Sequence, residues 1–205
     1  LQGREASMRQ ATRFDYLKSA SSVSLRESDG TELWNTPDGP WWAPSASGGA
    51  VLYDLAEQDR DIYRSASGLQ SGDIVLDCGA NVGVFVKKAL SRGAASCLFV
   101  EQDKAALDAI HANGERLGVR PDIRPSSVMA LGPAPKPLDL IFMDPPYQTG
   151  AGQVALDKLA RLGWTAPSSW ISIETDRRED VEVKGFVVDA VRDVGKARLT
   201  LLRAE

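Results

Sequence analysis

Hydrophobic positions follow two regimes along the chain, and the change comes near Asp73. From there on, short apolar runs recur at Ile74–Cys78, Ser96–Val100, Leu138–Met143 and Trp170–Ile173. Runs this short, rich in β-branched residues, predict strands buried on both faces. Between them, Val82–Ser91, Lys104–Leu117 and Gly152–Leu162 carry apolar residues at helical spacing. Strand and helix alternating in this way predict an open α/β fold, a doubly wound and mostly parallel sheet whose ligand crevice lies at the strands' carboxyl ends. Phe186–Arg192 and Ala197–Arg203 alternate apolar with polar instead, and Asp193-Val194-Gly195 between them predicts a closing antiparallel pair.

Before Asp73 the pattern is weaker. Tyr53–Ser65 shows a rough helical stripe through Tyr53, Ala56, Ile62 and Tyr63 and predicts a leading helix. Residues 1–50 are rich in Ser, Gly, Pro and Trp and read as an appendage to a single domain over 51–205. Within the appendage, Val23–Arg26 and Glu32–Asn35 around Ser28-Asp29-Gly30 predict a small hairpin, whereas Thr36–Pro44 reads as turn-prone. Trp41 and Trp42 in that segment are expected to cap the leading helix.

Composition narrows the partners. With 43% hydrophobic and 25% charged residues, the chain can bury a sizeable core. A formal charge of −4 and a pI near 5.2 exclude a protein that grips nucleic acid by overall charge, though not local basic patches. The two cysteines, Cys78 and Cys97, fall in neighbouring predicted strands and suggest no disulfide framework. No apolar stretch approaches the roughly 18–20 residues that cross a bilayer, and residues 1–13 lack the apolar core of a secretory signal. A reducing, cytoplasmic setting is expected. The chain opens on Leu1 rather than Met, which is expected of a missing part of the natural N-terminus or of a tag scar.

The chemistry gathers at the predicted carboxyl edge. Asp77-Cys78-Gly79-Ala80-Asn81-Val82-Gly83 follows the first strong strand and opens a helix, where glycine allows a tight turn and close backbone approach to a ligand. The next strand ends in Glu101-Gln102, a carboxylate about 20 residues on, which suits the hydroxyls of a ribose. The full G-x-G-x-x-G pattern is missing, which disfavours a pyrophosphate ligand. S-Adenosyl-L-methionine has no phosphate to cradle, and it is the expected cofactor.

Leu138–Met143 runs into Asp144-Pro145-Pro146-Tyr147 at the same edge. Two prolines end the ladder and hold φ near −65°, which stiffens the loop. Methyl transfer to an exocyclic amine is an in-line displacement, so the nitrogen must be oriented opposite the sulfur. A carboxylate at Asp144 and the Pro145 carbonyl suit its two N–H groups, and Tyr147 suits the face of a base. O-Methylation calls rather for a general base or a metal, and no histidine cluster is present; the single histidine, His111, is expected on a helix surface.

Residues 89–203 resemble the bacterial small-subunit (16S) ribosomal RNA guanine-N2 methyltransferases. The resemblance is carried by Ala89-Leu-Ser-Arg-Gly-Ala-Ala95, Phe99-Val-Glu101, Asp139-Leu-Ile-Phe-Met-Asp-Pro-Pro-Tyr147, Gly163-Trp164 and Gly195-Lys-Ala-Arg-Leu-Thr-Leu-Leu-Arg203. It implies a class I, Rossmann-like fold with a seven-stranded sheet, adenosylmethionine as donor and guanine in ribosomal RNA as acceptor. Residues 31–85 look instead like the FkbM-type methyltransferases, through Leu33-Trp-Asn-Thr-Pro37, Glu57-Gln-Asp-Arg-Asp-Ile-Tyr63 and Val75-Leu-Asp-Cys-Gly-Ala-Asn-Val-Gly-Val-Phe85. That family is associated with O-methylation. The ribosomal family's basic N-terminal segment and its acidic residue after the third strand have no counterpart here; Ser127 and Val128 stand where the adenine would be met.

Three readings follow. The first is an RNA guanine-N2 methyltransferase acting on the small ribosomal subunit, with Lys184, Lys196, Arg198 and Arg203 as phosphate contacts. The second is an FkbM-like O-methyltransferase of a small molecule or glycan. The third is an adenosylmethionine-binding protein without turnover, in which Trp41 and Trp42 serve interaction.

Overall fold

The computed structural model describes residues 13–27, 30–47, 49–58, 70–84, 89–90, 93–194 and 196–205. Two sheets organise them. Ser22–Arg26 (β1), Thr31–Thr36 (β2) and Gly39–Pro44 (β3) form a small antiparallel sheet. Ala50–Gln58 (α1) follows. The larger sheet then grows from Ile74–Cys78 (β4), Ser96–Glu101 (β5), Asp122–Pro125 (β6), Leu140–Met143 (β7), Trp170–Asp176 (β8), Phe186–Val194 (β9) and Ala197–Ala204 (β10). Lys104–Leu117 (α2) and Ala151–Arg161 (α3) connect its strands.

The strand order is β6-β5-β4-β7-β8-β10-β9, parallel from β6 to β8 and antiparallel at β10 and β9. The chain starts in the middle of the sheet, runs outward through β5 and β6, then returns to the other side of β4 with β7. That reversal places the β4 and β7 ends next to each other at the topological switch point, where open α/β sheets bind ligands.

β4 and β7 are central because their residues are apolar on both faces, and the core shows it. Leu76, Met143, Ile171 and Leu156 of α3 pack on one side; Val75, Leu140, Phe142 and Ile110 of α2 pack on the other. α2 forms where expected, with Asp103 capping its N-terminus and Gly118 in the left-handed conformation at its end. Both cysteines are buried and free, as their place in β4 and β5 suggests.

Two expectations change. Thr36–Pro44, read as a turn, holds only the tight turn before β3. Pro40 and Pro44 are tolerated because β3 pairs on one side with β2 and lies at the sheet's edge. The sequence reading also passed over β6, a four-residue edge strand ending in Pro125 that pairs with β5. The helix expected over Val82–Ser91 and the second half of Tyr53–Ser65 lie largely outside the described residues.

Trp41 is fully buried against Val51, Leu52 and Leu55 of α1 and Ala109 of α2, with the Arg116 guanidinium over its ring at 5.0 Å. It caps the leading helix as expected. Asn113 of α2 then ties the two sheets together. Its Nδ2 donates to the Trp42 and Val82 carbonyls at 3.0 Å, and its Oδ1 accepts the Trp42 N–H at 2.8 Å. Asn113→Ala leaves these backbone groups without partners. It is expected to cost about 2–3 kcal/mol, because each buried unsatisfied group costs about 1–3 kcal/mol; denaturant unfolding with an unchanged slope checks this.

Candidate active site

Several carboxylates stand at the carboxyl edge of the parallel strands, and their depths differ. Asp77 near the end of β4 is buried. Glu101 closes β5, Asp144 follows β7, and Glu174 lies near the end of β8. The ladder continues one step past the strands: the Gly79 N–H donates to the Val100 carbonyl at 3.0 Å and the Asp144 N–H to the Cys78 carbonyl at 3.2 Å. These bonds hold the glycine turn between Glu101 and the double-proline loop.

The approach is close enough to require glycine. Gly79 has φ +84°, and a Cβ there would come within 3.1 Å of the Asp144 carbonyl oxygen. From the other side, α3 presses its own Gly152 on the Pro145 ring; a Cβ at that position would lie 3.0 Å from Pro145 Cγ. The loop is thus wedged between the turn and a helix.

One cleft of about 290 Å³ results. Its walls include Gly79, Glu101, Gln102, Ser127, Val128, Asp144, Pro145 and Pro146, joined by the apolar side chains of Val100, Met129 and Met143. The structure therefore brings eight of the sequence-selected residues to one site. Glu101 is fixed there by its own backbone, Oε1 accepting the N–H groups of Gln102 at 2.7 Å and Asp103 at 2.9 Å. Ser127 caps the short 3-10 turn Val128–Ala130.

The remaining selected residues lie off the cleft walls. Asp77 sits in the strand beneath the turn, and its Oδ2 has no hydrogen-bond partner among the described residues. Burial, reinforced by the Asp144 and Glu101 charges, pushes its carboxyl up to about 7. Ala80 is buried in the core beside Val75 and Phe99. Asn81, at φ +48°, donates to Asp54 of α1 at 3.0 Å, and Gly83 borders a separate cavity beside α2. Tyr147 is exposed, and its hydroxyl donates to Glu174.

Sequence reading missed the residues that hold the loop from β8. The Gln148 side chain donates to Asp176 at 3.1 Å, and the backbone N–H groups of Gln148 and Gly150 donate to Glu179. Hydrogen bonds from the Arg178 side chain and backbone keep the Asp176 carboxyl well below the usual range. For Glu174, which holds Tyr147, the available signal was its place directly after the apolar run Trp170–Ile173, the pattern already recognised at Glu101. Of the basic residues considered for phosphate, Arg198 pairs with Asp193 and Asp180, and Arg203 pairs with Asp189 while lying over Trp170. His111 is exposed, as expected.

A family model described as conserved hypothetical protein 95 matches residues 61–203, a span that includes the glycine turn, Glu101, the double-proline loop and both final strands. The chain belongs to that family. Among curated proteins, the ribosomal RNA small subunit methyltransferase D of Buchnera aphidicola is 32% identical over 111 residues, 53% of this chain and 58% of that protein. The chain spans about half the length of the curated relatives it matches. Among solved structures, the Escherichia coli protein yhhF gives a TM-score of 0.64 at 23% identity, covering 74% of this chain and 85% of that one. A SAM-dependent methyltransferase from Aquifex aeolicus gives 0.50 at 16%, covering 67% and 84%. These likenesses show the fold: the Rossmann-like sheet of class I methyltransferases with its antiparallel C-terminal hairpin. Among the described residues, no helix is long and apolar enough to cross a membrane.

Proposed function

We propose that this chain is an S-adenosyl-L-methionine-dependent methyltransferase acting on an exocyclic amine, the N2 of a guanine in small-subunit ribosomal RNA. One observation carries the reading: the glycine turn, the Glu101 carboxylate and Asp144-Pro145-Pro146 open onto a single cleft. The division into an appendage over 1–50 and a catalytic domain over 51–205 belongs to the same proposal, supported by two sheets that share no strand. A ribosomal acceptor, suggested by the names of the curated relatives, makes the cytoplasm the proposed compartment.

The residues fit the donor. Glycine at 79 leaves the turn open, Val100 and Met143 supply apolar wall, and Glu101 has its second oxygen to offer the ribose hydroxyls. Ser127 and Val128 are assigned to the adenine. When bound, the donor supplies an electrophilic methyl group on a sulfonium. The protein's part is orientation and electrostatics. Asp144 and the Pro145 carbonyl accept the amine's N–H groups, Tyr147 stacks on the base, and the wedged loop holds these acceptors still. With the donor supplying the methyl, the amine would lose a proton, and the Asp144 carboxylate, which is exposed to water, is placed to accept it.

Two measurements test the proposal. Calorimetric titration with adenosylmethionine should show binding, and Glu101→Ala should weaken it at least about tenfold, since hydrogen bonds to a charged group contribute about 1.5–3 kcal/mol. Equal affinity in the two proteins contradicts the ribose assignment. Tritiated methyl transfer to small-subunit RNA, followed by nucleoside analysis, should yield N2-methylguanosine; binding without transfer would leave a donor-binding protein.

A further inference from the structure

The catalytic loop and β8 meet in a way that the proposed transfer does not by itself require. β7 and β8 run parallel with Met143 opposite Ile173. Extending that register by one residue sets Asp144, just past the end of β7, next to Glu174 of β8, at about the 4.8 Å spacing of neighbouring strands. Tyr147 reaches back from the loop and donates its hydroxyl to Oε1 of Glu174. The ring assigned to the base and the second carboxylate form one unit.

Glu174 stands apart from the basic side chains paired nearby. Of the arginines near the β8 end, Arg178 pairs with Asp176 and Arg198 with Asp193 and Asp180. Among the described residues Glu174 makes no ion pair, and it is half-buried, so its carboxylate acts as an acceptor partly withdrawn from water.

We propose that Glu174 reads the Watson–Crick edge of the acceptor base, selecting guanine by accepting its N1–H beside the amine held at Asp144. This rests on the guanine-N2 reading above. Guanine presents N1–H and the N2 amine side by side, two adjacent donors that match two adjacent carboxylates. A base with a bare N1 turns a lone pair toward Glu174 and is repelled. 2,6-Diaminopurine is the discriminating probe, because it retains the 2-amino group and exchanges N1–H for a lone pair.

The experiment uses the full chain and a single-stranded oligoribonucleotide with one guanine among uridines, paired with the same oligonucleotide carrying 2,6-diaminopurine. Binding by fluorescence anisotropy and kcat/KM for tritiated methyl transfer are both read. The wild type is expected to prefer guanine about ten- to a hundredfold, the scale of one correctly matched base edge. Glu174→Gln, whose amide donates to a bare N1, should lower transfer to guanine, raise transfer to diaminopurine and close that gap. Glu174→Asp, which keeps the charge, should retain the preference at reduced rate. Unchanged donor affinity and thermal midpoint in Glu174→Gln confirm an intact fold. If the wild type methylates guanine and Glu174→Gln shows the same guanine-to-diaminopurine ratio, the assignment falls while the proposed function stands. A wild type that methylates neither base removes both.

Discussion

Asp144→Ala is expected to lower methyl transfer by about 10²–10³-fold, the usual consequence of removing one preorganised polar group from a reacting centre. Donor affinity should stay nearly unchanged, because the turn at Gly79 meets the Asp144 backbone rather than its carboxylate. Stability should shift by no more than about 0.5 kcal/mol, since the side chain is exposed and lies outside the core. Asp144→Asn separates charge from shape: it keeps one acceptor oxygen but presents an N–H₂ group that opposes the amine. Single-turnover transfer together with calorimetric donor binding checks the split. A comparable loss of donor affinity would mean that Asp144 holds the cofactor and not the acceptor.

The second large effect is a pH dependence centred on Asp77. Its carboxyl is pushed up to about 7, first by burial and then by the Asp144 and Glu101 charges. Because the folded value lies above the unfolded one, the stability it contributes is fully present below about pH 4 and is lost as pH rises through about 7. A displacement of this size corresponds to a loss on the order of 4 kcal/mol between those limits. Asp77→Asn removes the titration, so the stability difference between variant and wild type should grow with pH over that window. A cation in the cleft favours the ionised carboxylate. Adenosylmethionine carries a sulfonium, so its binding near pH 7 should release a proton and strengthen about tenfold between pH 5.5 and 8, an effect absent in Asp77→Asn. Calorimetry in buffers of different ionisation enthalpy measures that proton; zero release in the wild type would overturn the linkage.

Much of the site was legible because its signals are local. A run such as Leu138–Met143 ending in Asp-Pro-Pro-Tyr announces both a buried strand and its stop, and the prolines allow little else. Glu101 was legible for the same reason, as a carboxylate closing an apolar run. β3 was misread because proline-rich composition speaks for a turn, and only the pairing partner on one side tells that an edge strand is tolerated there. Asn113 gave no signal at all: an asparagine in a helix is ordinary until Trp42 and Val82 bring three backbone groups to it.

By itself, the sequence determined the alternation of strands and helices, the carboxyl edge on which the chemistry would lie, and the residue types available to it, since periodicity, proline and glycine act within a few bonds along the chain. The tertiary structure alone decided which of those residues face one cleft. It buried Asp77 beneath the turn, set Glu174 beside Asp144 across a parallel register, and turned Asn81 and Gly83 elsewhere. Burial and register arise from contacts between segments far apart in the chain, and a linear pattern carries no record of those distances.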